Sequence, residues 1–135
     1  MIFLDNDVLD GFVRPNPDEA VISYLQNHRS EQWIVPSVVL YEFLSFYSSQ
    51  STRHTRRRQL NNRIDGIVPL DEDAAAQAAS LEVSFDNAGV SLDTGDLLVA
   101  AIARSRGGTL ATRNKNDFDK APIHELMAVD IVPTA

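Results

Sequence analysis

Met1-Ile2-Phe3-Leu4-Asp5-Asn6-Asp7 sets a short apolar run directly against a carboxylate-rich segment. Ile2–Leu4 reads as a buried strand, and Asp5 as the residue on which the chain turns out of it. Asx side chains bond nearby backbone amides, so a turn former or helix cap is the plain reading of Asp5. Three further segments repeat the short apolar pattern at Trp33–Val35, Ile67–Leu70 and Thr109–Thr112, and Ala128–Val132 supplies a fifth.

Between these runs the spacing turns helical. Asn16-Pro17-Asp18-Glu19 predicts a helix start, with Asn16 as cap, Pro17 at the first helical position and acids in the first turn. Val21, Tyr24, Leu25 and His28 then follow at helical intervals. Further helices are predicted over Val38–Tyr47, Arg53–Ile64, an alanine-rich segment opened by Asp71 and closed by Gly89, and Leu92–Arg106 ahead of Gly107-Gly108. Strands alternating with helices predict an α/β fold: a central, mostly parallel sheet of four to five strands covered by helices. With 135 residues and no linker or repeat, the expectation is one domain spanning residues 1–135.

Composition removes several classes. No cysteine is present, which excludes thiol nucleophiles, disulfides and cysteine zinc sites and suits a reducing cytoplasm. The first residues lack the basic start and long apolar core of a signal peptide, and no apolar run nears the roughly 20 residues of a membrane span. The net charge is −7, with aspartate outnumbering glutamate and only two lysines, Lys115 and Lys120. An Asp-rich, Lys-poor surface suits a halophilic source, although an ordinary acidic protein has the same balance. Such a charge disfavours generic nucleic-acid binding, so any contact with nucleic acid must rest on local features.

Four acids stand beside four different apolar segments: Asp5 after the first strand, Glu42 inside Val38–Phe46, Asp96 before Leu97–Ala103, and Asp117 shortly after Thr109–Thr112. A carboxylate buried unpaired is costly. Gathered at the carboxyl ends of a parallel sheet, four of them suit hard cations such as Mg²⁺ or Mn²⁺. Glu42 is flanked by Val38, Val39, Leu40, Phe43, Leu44 and Phe46, which leaves its helix little polar face. Asp93 and Thr94 are better placed than Asp96 to cap the helix that follows, which leaves Asp96 spare. Thr112 and Asn114 are candidates to orient a carboxylate, a water or a phosphate. Arg53, Arg56, Arg57, Arg58 and Arg63, with His54, form the one concentrated basic stretch, and Arg53, Arg56 and Arg57 share a helical face. That face, with Arg113 and Lys115, is the candidate phosphate-contacting surface. A solvated helix is the plain alternative.

In order and spacing these segments resemble the PIN-domain family, in particular the VapC-type toxins of toxin–antitoxin pairs. The resemblance rests on Ile2-Phe3-Leu4-Asp5-Asn6-Asp7-Val8-Leu9, Val38-Val39-Leu40-Tyr41-Glu42-Phe43, Asp96-Leu97-Leu98-Val99-Ala100-Ala101-Ile102-Ala103 and Thr112-Arg113-Asn114-Lys115-Asn116-Asp117-Phe118. It implies a PIN-like α/β/α sandwich and a cytoplasmic endoribonuclease dependent on one or two Mg²⁺ or Mn²⁺ ions. By that analogy Asp5, Glu42, Asp96 and Asp117 hold the metal or its waters, while Thr112 and Asn114 assist through hydrogen bonds. It further implies tRNA or rRNA as substrate, a small antitoxin partner and a homodimer. Asp7 departs from the family pattern, which commonly has a small polar residue such as Asn there. Asp7 and Asp93 are therefore accessory metal-ligand candidates.

Two other readings compete. Phe3-Leu4-Asp5-Asn6-Asp7-Val8 resembles the first motif of haloacid-dehalogenase-type phosphatases, but no Lys or Arg in the expected context precedes Gly95-Asp96, and Glu42 and Asp117 are left without a role. A PIN-like binding module without catalysis is the second, and the presence of all four acids counts against it.

Overall fold

The computed structural model describes residues 1–134. Its elements run β1 (Ile2–Leu4), α1 (Asn6–Val13), α2 (Glu19–Asn27), β2 (Trp33–Pro36), α3 (Ser37–Ser45), α4 (Gln50–Asn61), β3 (Gly66–Val68), α5 (Glu72–Asn87), α6 (Thr94–Ser105), β4 (Thr109–Thr112), α7 (Lys115–Phe118), α8 (Ala121–Leu126) and β5 (Val129–Ile131). The five strands form one sheet in the order β3-β2-β1-β4-β5, and every pairing is parallel. The expected α/β architecture is thus present, with the sheet wholly rather than mostly parallel and flanked by helices.

Parallel strands are covered on both faces and therefore read as continuous apolar runs. Ile2, Phe3 and Leu4 are all buried, as are Leu110, Ala111 and Thr112. β1 is central and pairs with β2 on one side and β4 on the other. The connections leave β1 toward β2 and β3, then return past it to β4 and β5. The order therefore switches between β1 and β4, where a crevice opens beyond the carboxyl ends of the strands.

Helix α6 is the most deeply seated, with Leu97 and the run Val99–Ala103 buried. Its end is sharply made. Gly107, at φ 66, lets its own N–H reach the Arg104 carbonyl while the Gly108 N–H reaches that of Ala103, both at 3.0 Å. Gly108 then lies so close to Phe3 that a Cβ there would stand 2.6 Å from Cδ2 of that ring. α5 ends the same way at Gly89, as its position in sequence predicted.

Three local expectations need correction. Of the two plain roles read for Asp5 the structure takes the helix cap, its side chain accepting from the Asn6 N–H, and the helix it opens, α1, was not among those predicted. The next helix starts later than Asn16-Pro17 suggested, because Asp18 accepts from the N–H groups of Ala20 and Val21 and takes the capping position. The segment after β4, read as a polar loop, holds α7 and is followed by α8, which carries Pro at its start.

Candidate active site

Asp5, Glu42 and Asp96 are delivered by separate elements to one open cavity, and Asp117 is tied to Asn114 at its border. Asp5 ends β1. Its backbone N–H bonds the Ala111 carbonyl at 3.0 Å, which stitches the two central strands together at their carboxyl ends. Its side chain is 7% exposed. Oδ1 accepts the Asn6 N–H at 2.9 Å, and Oδ2 accepts the Thr112 hydroxyl at 2.7 Å. Thr112 Oγ1 in turn accepts the Asn114 N–H at 3.1 Å. Asn114 Nδ2 donates to Asp117 Oδ2 at 2.8 Å, while its Oδ1 accepts the Asp117 N–H. The polar residues expected to assist therefore form a relay from Asp5 to Asp117.

Asp96 lies in the first turn of α6, where Asp93 caps the helix by accepting the Asp96 N–H at 2.8 Å. The carboxylates of Asp96 and Glu42 accept no hydrogen bond from the described residues. Both face an open cavity of about 450 Å³ shared with Asp5, Asp7 and Asn114. Asp117 stands behind Asn114, and its charge reaches Asp96.

The gathering of like charges perturbs their chemistry. Burial, followed by the charge of Asp7, pushes the Asp5 carboxyl from 3.8 up to about 7. Asp96 rises to about 6, through burial first and then the charges of Asp93, Asp117, Glu42 and Asp7. Glu42 is raised by burial, with Asp93 and Asp7 adding to it. Asp7 is raised by burial, although the Arg113 N–H, donating to its Oδ1 at 3.1 Å, acts the other way. The four predicted acids and the two accessory candidates thus share one electrostatic neighbourhood.

Oxygen donors of this kind suit Mg²⁺ or Mn²⁺. Asn6 Oδ1 supports the same fit: it is buried beside the carboxylates with no donor in reach among the described residues, so a cation or its water would satisfy it. Among the described residues no three acids or histidines are drawn together tightly enough to enclose one ion unaided.

The basic candidates are placed differently from one another. Arg113 is turned away from the crevice. Its guanidinium pairs with Asp18 at 3.2 Å and donates to the Pro133 carbonyl at 2.9 Å, with both ion-pair side chains 12% exposed. Such a group is not free for a phosphate. Arg53 donates to the Tyr47 and Ser48 carbonyls, both at 2.8 Å, and so ties α4 to the end of α3. Arg56 lies over the Tyr47 ring, 5.3 Å from its centroid, and Arg57 and Lys115 are exposed.

Three residues bordering the acids were missed in the sequence: Asn6, Asp10 and Phe46. Asn6 and Asp10 are one turn apart on α1, a relation that appears only once that segment is helical. Phe46 was read as part of an apolar wall around Glu42. Only Val39 and Phe43 of α3 are buried, however, whereas Tyr41 is 72% exposed and Phe46 84%.

Comparison with known proteins agrees with this geometry. The chain is 27% identical over 130 residues to the VapC ribonuclease Y4jK of Sinorhizobium fredii, covering 90% of this chain and 92% of that one. The crystal structure of FitAcB from Neisseria gonorrhoeae superposes with a TM-score of 0.74 at 25% identity, covering 96% of each chain. A toxin–antitoxin complex from Klebsiella pneumoniae has the same fold, with a TM-score of 0.74 at 18% identity over 100% of both chains. The PIN domain model matches residues 2–123. With its carboxylates at the switch point of a parallel sheet, this chain belongs to the PIN domain family.

Proposed function

We propose that this chain is a metal-dependent endoribonuclease, the toxin of a VapBC-type pair, with Asp5, Glu42, Asp96 and Asp117 as its acidic centre. The observation that carries the reading is the gathering of acids from separate elements, where burial first and neighbouring carboxylates second raise Asp5 to about 7 and Asp96 to about 6. A fold that assembles such repulsion gains when a cation enters and displaces the shared protons. The similarity to a VapC ribonuclease supports RNA as the substrate, and the likeness to a toxin–antitoxin complex supports a small antitoxin as partner. The reading includes a homodimer and a cytoplasmic setting. No helix among the described residues is long and apolar enough to cross a membrane.

Asp5 and Asp96 are the principal ligands in this reading, with Glu42 and Asp117 holding the ion or its waters and Asp7 and Asp93 adding charge. A bound Mg²⁺ or Mn²⁺ supplies an activated water and neutralises charge on the phosphate. The chain's own residues fix the geometry. The Thr112 hydroxyl fixes the Asp5 carboxylate in one orientation, and Asn114 does the same for Asp117. Asp96 and Glu42, unencumbered by hydrogen bonds from the described residues, face the open cavity of about 450 Å³.

The test is cleavage of total RNA by the purified chain with Mg²⁺, with Mn²⁺ and with EDTA, at low and molar KCl, beside Asp96→Asn. Discrete metal-dependent fragments absent from the variant are the expected result. A folded protein that leaves RNA intact under all these conditions would overturn the reading in favour of a binding module.

A further inference from the structure

Phe46 caps the end of α3 with 84% of its surface in water, one helical turn beyond Glu42. Single apolar residues on a surface are ordinary, so exposure alone decides nothing. Its surroundings are more specific. Phe46 borders the carboxylate cavity and also a smaller cavity beside it, whose walls include Asn6, Asp10 and Tyr47. The Phe46 ring is propped edge-on against Tyr47, 5.2 Å between centroids at 84°. Tyr47 is packed edge-on against Phe43 and carries the Arg56 guanidinium over its ring. Beyond Tyr47 a third cavity, of about 570 Å³, is lined by Arg14, Arg56 and Arg63. Asp10 borders all three, so the cavities adjoin there as a groove with this carboxylate on its wall.

Around these adjoining cavities lie carboxylates suited to a cation at a phosphate, an exposed aromatic ring, a second ring beneath a guanidinium, and the arginines Arg56, Arg63 and Arg14, the last also paired with Asp18 at 3.3 Å. Single-stranded nucleic acid is bound by this combination of stacking faces and cations. A duplex hides its base faces, so an exposed ring can stack only on an unpaired base. An overall charge of −7 makes the local arginines more telling, because no general basic surface draws the strand there.

Resting on the ribonuclease reading, we propose that Phe46 is a stacking platform for an unpaired base next to the scissile phosphate, with the strand continuing along the groove toward Arg56, Arg14 and Arg63. The enzyme then cuts RNA only where it is single-stranded. Phe46 sets affinity and the choice of cleavage position, while the carboxylates carry the chemistry.

The experiment compares wild type, Phe46→Ala and Phe46→Trp on a cleavable oligoribonucleotide, single-stranded and annealed to its complement. The same Phe46 changes in an Asp96→Asn background, with Mg²⁺, are titrated with that oligonucleotide carrying 2-aminopurine beside the cut. Base–aromatic stacking predicts a loss of about tenfold in kcat/KM for Phe46→Ala, mainly through KM, with rescue by Phe46→Trp and little cleavage of the duplex. The analogue's fluorescence is quenched on binding unless Phe46 is alanine. Unchanged kcat/KM and unchanged quenching in Phe46→Ala would overturn the platform. So would loss of activity that accompanies a shift from dimer to monomer in light scattering, which would make Phe46 a contact between subunits. Absence of cleavage by wild type condemns the ribonuclease reading itself, while the titration still reports on stacking.

Discussion

Replacing Asp5 by Asn removes the most strongly perturbed charge in the crevice and leaves its shape nearly unaltered. In the folded chain this carboxyl is raised from 3.8 to about 7. Because the folded value lies above the unfolded one, the protonated group favours the fold. Its contribution is complete below about pH 4 and is lost as the pH climbs through about 7. At 1.36 kcal/mol per pH unit, the shift corresponds to a ceiling of roughly 4 kcal/mol. Water in the open cavity and relaxation around the charge reduce this, and about 2 kcal/mol is the expected loss for metal-free wild type. Asn at this position does not titrate. It does present the Thr112 hydroxyl, which donates to Oδ2 at 2.7 Å, with an amide in place of the carboxyl, at a cost of about 1 kcal/mol. In EDTA, urea unfolding near pH 5 should therefore find Asp5→Asn slightly weaker than wild type, and near pH 8 somewhat stronger. Mg²⁺ should stabilise wild type in proportion to the logarithm of its concentration and barely affect the variant. Parallel pH profiles for the two proteins would refute the claim that Asp5 is held at a raised value by burial and its acidic neighbours.

Other substitutions probe the supporting structure. Arg113→Ala removes one of the two guanidinium partners of Asp18, leaving Arg14, and frees the Pro133 carbonyl, so it should lower stability in urea unfolding. If instead it weakens RNA binding without affecting stability, the side chain faces substrate after all. Gly108→Ala drives a methyl group into Phe3 at the centre of the sheet. It should cost about 3 kcal/mol, visible as a fall of roughly 10 °C in Tm, and an unchanged Tm would mean that α6 can move aside freely. Arg56→Ala combined with Arg57→Ala should weaken RNA binding at low salt and reduce the slope of log affinity against log salt by about 1 to 2. An unchanged slope would assign α4 to another surface.

The strands were legible because burial on both faces writes an unbroken apolar run, as in Ile2–Leu4 and Leu110–Thr112. The acids were legible for the complementary reason: a carboxylate abutting such a run needs an explanation. α1 was not, since Asp5-Asn6-Asp7 is as good a turn as a cap and Gly11 weakens the helical signal. Asn6 and Asp10 were lost with it. The role of Arg113 was hidden because its partner Asp18 lies 95 positions away, and local sequence cannot report so distant a pairing. Phe46 misled in the opposite direction: apolar composition predicts burial, and here the fold leaves the ring in water beside the acids.

The stitch between β1 and β4 also fixes when chemistry becomes possible. Thr112 bonds Asp5 across 107 positions of chain, and no shorter fragment holds both. During synthesis the amino-terminal half emerges first and can pair β1 with β2, but the crevice has only one wall until β4 docks. Contacts this distant in sequence form late. A copy of the chain stalled before β4 therefore lacks one wall of the acidic crevice, which comes into being only as β4 joins the sheet.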